Sequence, residues 1–386
     1  MDQRTNQILF ALLRSAIDGK PFADEERASY SSEMLSDLLK CSSKHDVVHL
    51  LVLGLQQNGL IGGENAKLEQ VIFKAVYRYE QLKYEFANAC KTLEAAQIAF
   101  VPLKGSVLRR YYPEPWMRTS CDIDILVHRE DLEQAIRTLV DELHYEEKER
   151  ATHDVSLFSP TGTHVELHFD LVEEGRANSA IDVLSSVWED VTLCKGSAYQ
   201  YEMSDAFFYF YHIAHMVKHF EEGGCGIRPL IDLWILDHLD SADRAKRDAL
   251  LSRGGLLKFA NVSRNLSAVW FGGAVADDVS MQMQEFLLHG GVYGSTDNRV
   301  ALKQSKKGGR MGYILSRIFI PYAKLKRYYP ILEKHKWLMP VMQVRRWFML
   351  LNPKVAKMAK SEMAANGKME SEKADQMSVF LDHIGL

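Results

Sequence analysis

Three acids in this chain stand where strand geometry could make them share one cation. Asp122 and Asp124 open the run DIDILV (122–127), and Glu166 lies in the run THVELHF (163–169). Both runs read as β-strands, and side chains on a strand alternate faces. Asp122 and Asp124 therefore project together, with Ile123 and Ile125 opposite. Glu166 and His168 likewise share a face, with Val165 and Leu167 opposite. If the two strands are neighbours, three carboxylates converge. Crowded carboxylates repel unless a cation neutralises them. A hard ion such as Mg²⁺ (or Mn²⁺) takes oxygen ligands and keeps sites for water and phosphate oxygens.

A second group lies upstream, at Lys104-Gly105-Ser106. Glycine lets a backbone approach phosphate closely, and N–H groups at the start of a following helix can bind anionic oxygens. Ser106 adds a hydroxyl. A Gly-Ser pair alone is common and carries nothing; the order of the parts carries more. A strand at 98–102 leads into Gly-Ser, then a helix, then Asp-x-Asp on a strand, then a downstream strand with a third acid. Fifteen residues, 107–121, separate Ser106 from Asp122.

In that order the chain resembles the polymerase β-like nucleotidyltransferase superfamily. The run LKGSVLRRYYPEPWMRTSCDIDILV, followed by VELHFDL, is similar to a bacterial branch of uncharacterised nucleotidyltransferases, as are the later HIAHMVKH and GIRPLIDLW. The resemblance implies that Asp122, Asp124 and Glu166 are catalytic and hold the metal. It implies that Gly105 and Ser106 hold the terminal phosphates, with Lys104 and Arg118 on triphosphate charge; a guanidinium fork suits that contact. Arg118 could instead pair with Asp122. His168, Lys218 and Arg228 complete the expected nucleotide-binding set. The implied chemistry is in-line transfer of an NMP from an NTP, ATP by default, to an acceptor hydroxyl with loss of pyrophosphate. The resemblance names no acceptor.

Two rival readings use the same residues. A nucleotide- or nucleic-acid-binding protein on this scaffold would bind without transfer. An Asp-x-Asp glycosyltransferase would leave Lys104-Gly105-Ser106 and Glu166 without a role and would release a nucleoside diphosphate.

These motifs need elements to position them. The expectation is an α+β protein: a small mixed-sheet nucleotidyltransferase core at 97–175, flanked by helical regions. Residues 1–96 read as helices, with apolar stripes at 6–17, 47–55 and 66–96. Residues 176–300 form a helical domain that completes the nucleotide cleft and contacts the base. Residues 301–386 form a basic helical region with a link at 303–310 and a polar, weakly patterned tail at 361–377. Strands at 154–158 and 163–169 flank the turn Ser159-Pro160-Thr161-Gly162.

Several histidines fall at helical spacing. His45 and His49 read better as packing residues than as a metal pair. His212, His215 and His219 make one helix face, either a polar stripe toward the cleft near Arg228 and Asp232 or packed core histidines.

Composition limits the rest. Five cysteines with no CxxC pair argue against structural zinc and fit a reducing, cytoplasmic setting. The first residues do not read as a secretory signal, and no apolar run reaches the ~18 residues of a membrane span. Net charge is −4, but unevenly spread. Fifteen of the 47 Lys and Arg residues lie between 301 and 360 beside a single acid, Glu333, which leaves 32 bases against 50 acids elsewhere. A basic segment on an acidic body suits an anionic acceptor or a nucleic acid, and aromatics such as Tyr328, Trp337 and Trp347 could stack bases. The plainer reading is a solvated helical surface.

Overall fold

The alternation in DIDILV and HVELH becomes the register of a five-stranded mixed sheet. The computed structural model describes residues 1–61, 66–172, 179–292, 294–307, 309–368 and 371–386. The chain is α+β and divides into two compact units. One comprises Met1–Ala214 with Ile227–Ala276, the other His215–Gly226 with Asp277–Leu386.

The first unit opens with helices α1 (Gln3–Asp18), α2 (Asp24–Ser29), α3 (Leu35–Lys44), α4 (Val48–Gln57) and α5 (Ala66–Ala95). The sheet core follows as β1 (Phe100–Pro102), α6 (Lys104–Leu108), β2 (Asp122–Val127), α7 (Leu132–Leu143), β3 (Glu146–Arg150), β4 (Asp154–Phe158) and β5 (His164–His168). Then come α8 (Ser179–Ser185), a two-stranded ribbon of β6 (Val191–Leu193) and β7 (Tyr201–Met203), and α9 (Asp205–Glu221), α10 (Arg228–Asp237), α11 (Arg244–Arg253) and α12 (Leu257–Phe271).

Strand order in the sheet is β1-β2-β5-β4-β3. Only β2 and β5 pair in parallel; the other neighbours are antiparallel. One face is apolar. Ile123, Ile125, Val155, Leu157, Val165 and Leu167 pack there with Leu82, Ala89 and Leu93 of α5 and Ala135, Ile136 and Leu139 of α7. Burying these side chains supplies the driving force that holds the strands in register, because a one-residue slip would turn each of them to the other face. The polar face is thereby assigned to Asp122, Asp124, Glu166 and His168.

The N-terminal helices pack closely. A Cβ on Gly54 of α4 would stand 2.3 Å from the Leu12 carbonyl oxygen of α1, so glycine is what lets the two backbones touch. His45 and His49 are buried packing residues, and His49 Nε2 lies 2.8 Å from the Met117 carbonyl oxygen.

Some elements escape the sequence pattern. Strand β3, EEKER, is exposed along its whole length and shows no alternation. Backbone pairing to β4 makes it a strand, with a register shift between Glu147 and Glu149, and Arg150 at its end pairs with Glu133 of α7. Lys104-Gly105-Ser106 does not interrupt the chain before a helix but begins α6 itself. The expected boundary at 175/176 lies outside the described residues.

The second unit contains the last turns of α9, then α13 (Asp278–Gly290), α14 (Thr296–Lys307), α15 (Gly309–Ile318), α16 (Tyr322–Tyr328), α17 (Met339–Trp347), α18 (Pro353–Lys368) and α19 (Ser371–Ile384). The expected link at 303–310 is helical up to Lys307 and again from Gly309; Gly308 lies outside the described residues. Burial of Val300, Ala301, Leu302 and Gln304 outweighs the poor helix propensity nearby. The polar tail is helical up to Lys368 and again from Ser371; 369 and 370 lie outside the described residues. Its α19 buries Phe380, Leu381 and Ile384 and packs on α14. Among the described residues, no helix is long and apolar enough to cross a membrane.

Candidate active site

Parallel pairing sets Asp124 of β2 opposite Glu166 of β5, and Asp122 opposite His164. The three acids therefore stand on one face of two adjacent strands. Two overlapping donor sets result: Asp124, Glu166 and His168, and Asp122, His164 and Glu166. In each set the donor atoms lie within 4.8 Å of one another. Asp124 is almost fully buried.

Lys104 is the counter-charge. Its Nζ donates to Asp124 Oδ1 at 2.6 Å and lies 3.8 Å from Glu166 Oε2. His168 Nε2 lies 3.0 Å from Asp124 Oδ1 and 3.3 Å from Glu166 Oε2. These contacts spread the acids' proton affinities apart. Burial alone would raise the Asp124 carboxyl, but Lys104 and His168 hold it well below the usual carboxylate range. Asp122 goes the other way: burial and the neighbouring Asp124 push it up to about 6. For Lys104, burial opposes the charge, but Asp124, Tyr211 and Glu166 outweigh it and keep the ammonium above the ordinary lysine range. His168 behaves alike: burial lowers it, and hydrogen bonds to Asp124 and Glu166 more than restore it. Tyr211 of α9 is within electrostatic reach of the same acids, and burial raises its phenol.

The donor chemistry suits a divalent cation. Three carboxylates and one ammonium leave two negative charges, and hard oxygen donors dominate the set. Lys104 itself sits with φ +43°, in the left-handed region that side chains rarely adopt. Such strain generally costs roughly 1–3 kcal/mol and persists where surrounding contacts impose it. Here the Leu103 N–H donates to the Asp124 carbonyl oxygen at 3.0 Å, on one side of Lys104. On the other, Arg109 Nε donates to the Gly105 carbonyl oxygen at 2.8 Å, and its Nη2 donates to Ser120 Oγ at 2.8 Å. A Cβ on Gly105 would stand 3.1 Å from Ser120 Cβ, so the turn is tightly seated. Helix α6 has only five residues, so its dipole is small, and anion binding would rest on side chains more than on that helix end.

A cavity of about 370 Å³ lies beside Ser106. Val107, Arg110 and Tyr111 line it from the sheet core, and Tyr201, Glu202 and Phe208 from the segment that follows.

The sheet thus gathers Lys104, Asp122, Asp124, Glu166 and His168, with Gly105 and Ser106 alongside. It does not gather Arg118 and Arg228 onto the acids. Arg118 Nε donates to Asp232 Oδ1 at 2.6 Å in a buried pair, which Tyr112 joins by donating to the same oxygen at 2.7 Å. Arg228 Nη1 donates to Asp46 Oδ2 at 2.6 Å. Together these pairs tie the segment before Asp122 to α10 and to the turn between α3 and α4. His212 Nε2 lies 3.0 Å from the Pro229 carbonyl oxygen, and His215 and His219 face each other at 3.2 Å. Lys218 belongs to the second unit and is half-buried.

Sequence reasoning missed His164, Asp154 and Tyr211. The period-two rule that singled out His168 also places His164 on the acid face, and antiparallel pairing sets Asp154 opposite His168. Asp154, His153 and His168 form a third donor set. Nothing local in the sequence marks Tyr211.

A family model described as "Uncharacterised nucleotidyltransferase" matches residues 31–272. Comparison with curated proteins and with solved structures finds no match.

Proposed function

The chain belongs to this nucleotidyltransferase family, and from that premise we propose that it transfers an NMP from an NTP to an acceptor hydroxyl. The observation that carries the reading is the β2–β5 register, which sets Asp124 against Glu166 with Asp122 two residues away on the same face.

Asp122, Asp124 and Glu166 would hold Mg²⁺ or Mn²⁺. The bound ion would supply Lewis acidity and neutralise triphosphate charge. Everything else falls to the chain. Lys104 remains charged and can donate to phosphate oxygens, and the Ser106 hydroxyl adds a donor. Gly105 keeps that turn free of a side chain. The acceptor oxygen forms a bond to the α-phosphorus, and the bond from that phosphorus to the bridging oxygen breaks. The acceptor's proton passes to Glu166 or on to water, and pyrophosphate leaves. The cavity beside Ser106 is proposed for the nucleoside, with Tyr111, Tyr201 and Phe208 as its aromatic walls. ATP is the first donor to try.

The test is calorimetry with the four NTPs, with and without Mg²⁺ or Mn²⁺, beside an Asp122→Asn, Asp124→Asn double variant. Metal-dependent binding of an NTP that the variant loses supports transfer and names the donor. Absence of binding, or binding indifferent to metal and variant, overturns it. Release of pyrophosphate rather than a nucleoside diphosphate separates this reading from glycosyl transfer.

A further inference from the structure

The segment 311–351 of the second unit already has a core of its own. Ile320, Leu325, Leu332 and Met342 are buried together, with Tyr322, Tyr329, Leu338 and Met339 packed against them. A second set of large apolar side chains remains outside that core. On α15, Met311, Leu315 and Ile318 repeat at helical spacing and are exposed. On α17 and the turn after it, Val341, Val344 and Phe348 do the same. The two stripes meet at their C-terminal ends. The Phe319 and Trp347 rings lie 5.9 Å apart, and Trp347 Nε1 donates to the Ile318 carbonyl oxygen at 2.9 Å. Arg346 Nη2 donates to the Arg317 and Ile318 carbonyl oxygens at 2.7 and 2.8 Å. Beyond them Trp337 is 74% exposed and Leu351 79%.

We propose that this face docks on an anionic lipid bilayer, lying on its surface without crossing it. Two observations choose that occupant. The first is charge complementarity: residues 301–360 carry 15 Lys and Arg against Glu333 alone, and Arg310, Lys334, Lys336 and Arg345 are exposed there, while Arg317 is paired with Glu362. Basic groups beside a membrane are drawn to acidic headgroups. The second is the kind of apolar group exposed. Met311, Leu315, Ile318, Val341 and Val344 are aliphatic; they cannot stack on nucleic-acid bases, but they can enter an acyl boundary, with Trp337 at headgroup depth. A contiguous exposed apolar patch on a charged chain marks an interaction surface. The inference stands on the second unit alone and is independent of the transfer reaction.

The test is co-flotation of the full chain with vesicles. One set is phosphatidylcholine alone; the other is equal parts phosphatidylcholine and phosphatidylglycerol. Binding is expected to the anionic set only, and to weaken as salt rises. Leu315→Asp with Phe348→Asp, both exposed positions, should weaken it at least about tenfold, as should Lys334→Glu with Lys336→Glu. Circular dichroism checks that each variant is folded. Failure to float with anionic vesicles overturns the proposal. So does flotation that Leu315→Asp with Phe348→Asp leaves unchanged. Displacement from the vesicles by a single-stranded RNA oligonucleotide that binds the unaltered chain and the Leu315→Asp, Phe348→Asp variant equally well would overturn it in favour of a nucleic-acid surface.

Discussion

At the scale of single residues, the acid cluster works by keeping two aspartates in different protonation regimes. Asp124 is tied to Lys104 and His168 and stays ionised, while Asp122 is pushed up to about 6 by burial and by Asp124. A carboxyl must lose its proton to ligate a cation. Below about pH 6 a proton competes at Asp122, so Mn²⁺ affinity should fall as pH drops, by about tenfold per unit once Asp122 is protonated. Calorimetric titration at pH 5, 6 and 7 (about those values) reads this directly; a flat profile would mean that Asp122 does not ligate. Lys104→Ala should weaken NTP binding by roughly ten- to a hundredfold, the worth of a hydrogen bond to a charged group at about 1.5–3 kcal/mol. Unchanged NTP affinity would remove Lys104 from phosphate binding and leave it as a counter-ion for Asp124 only.

At the scale of elements, the site depends on how the segment ahead of β2 is held. Arg118 and Asp232 form a buried pair that links this segment to α10. Asp232→Asn would leave a buried guanidinium uncompensated and should cost about 3–5 kcal/mol, read as a lower midpoint in urea unfolding. The pair also has a pH sign. Burial works to raise the Asp232 carboxyl, but Arg118 more than offsets this, so its folded pKa is below the ordinary value. Its stabilisation is therefore complete above the ordinary aspartate pKa of about 3.9 and is lost as pH falls through the lower folded value. Asp232→Asn should flatten that acid limb. Between α1 and α4, Gly54→Ala should force the backbones apart at Leu12 and cost about 1–3 kcal/mol despite alanine's better helix propensity. A melting temperature lowered by about 2–4 °C per kcal/mol is the expected reading, and an unchanged or raised one would show that the helices separate freely.

At the scale of the whole molecule, the chain carries two units with separate cores. The sheet core around Ile123, Val165 and Leu82 belongs to the first, and the clusters around Leu325 and around Tyr313 belong to the second. Two cores need not unfold as one, so scanning calorimetry should give a measured enthalpy larger than the van't Hoff value. Adding Mg²⁺ with the bound NTP should stabilise the transition that includes the acid cluster, by about 2.7 kcal/mol at a hundredfold excess over Kd. The Asp122→Asn, Asp124→Asn variant should show no such shift. The uneven charge belongs to this scale as well, since the basic excess sits wholly in the second unit and the acids of the cluster in the first.

Period-two alternation in 122–127 and 164–168 was enough to put Asp122, Asp124, Glu166 and His168 on the polar face, because burying the intervening isoleucine, valine and leucine leaves the acids nowhere else to go. The long stripe of α5 and the hairpin at 159–162 were legible for the same local reasons. Local pattern could not pair β2 with β5, since Asp124 and Glu166 are joined only by contacts across 42 residues of chain. Nor could it show that EEKER is a strand, which backbone pairing to β4 holds in place, or that the Arg118 charge is neutralised by Asp232, more than a hundred residues away. Helices α18 and α19 of the tail and the helix up to Lys307 likewise depend on burial against distant elements, which outweighs weak propensity. Residue type and spacing determined which side chains could do chemistry; tertiary packing decided which of them meet, because burial and charge pairing act across the fold and leave no mark at the sequence positions they join.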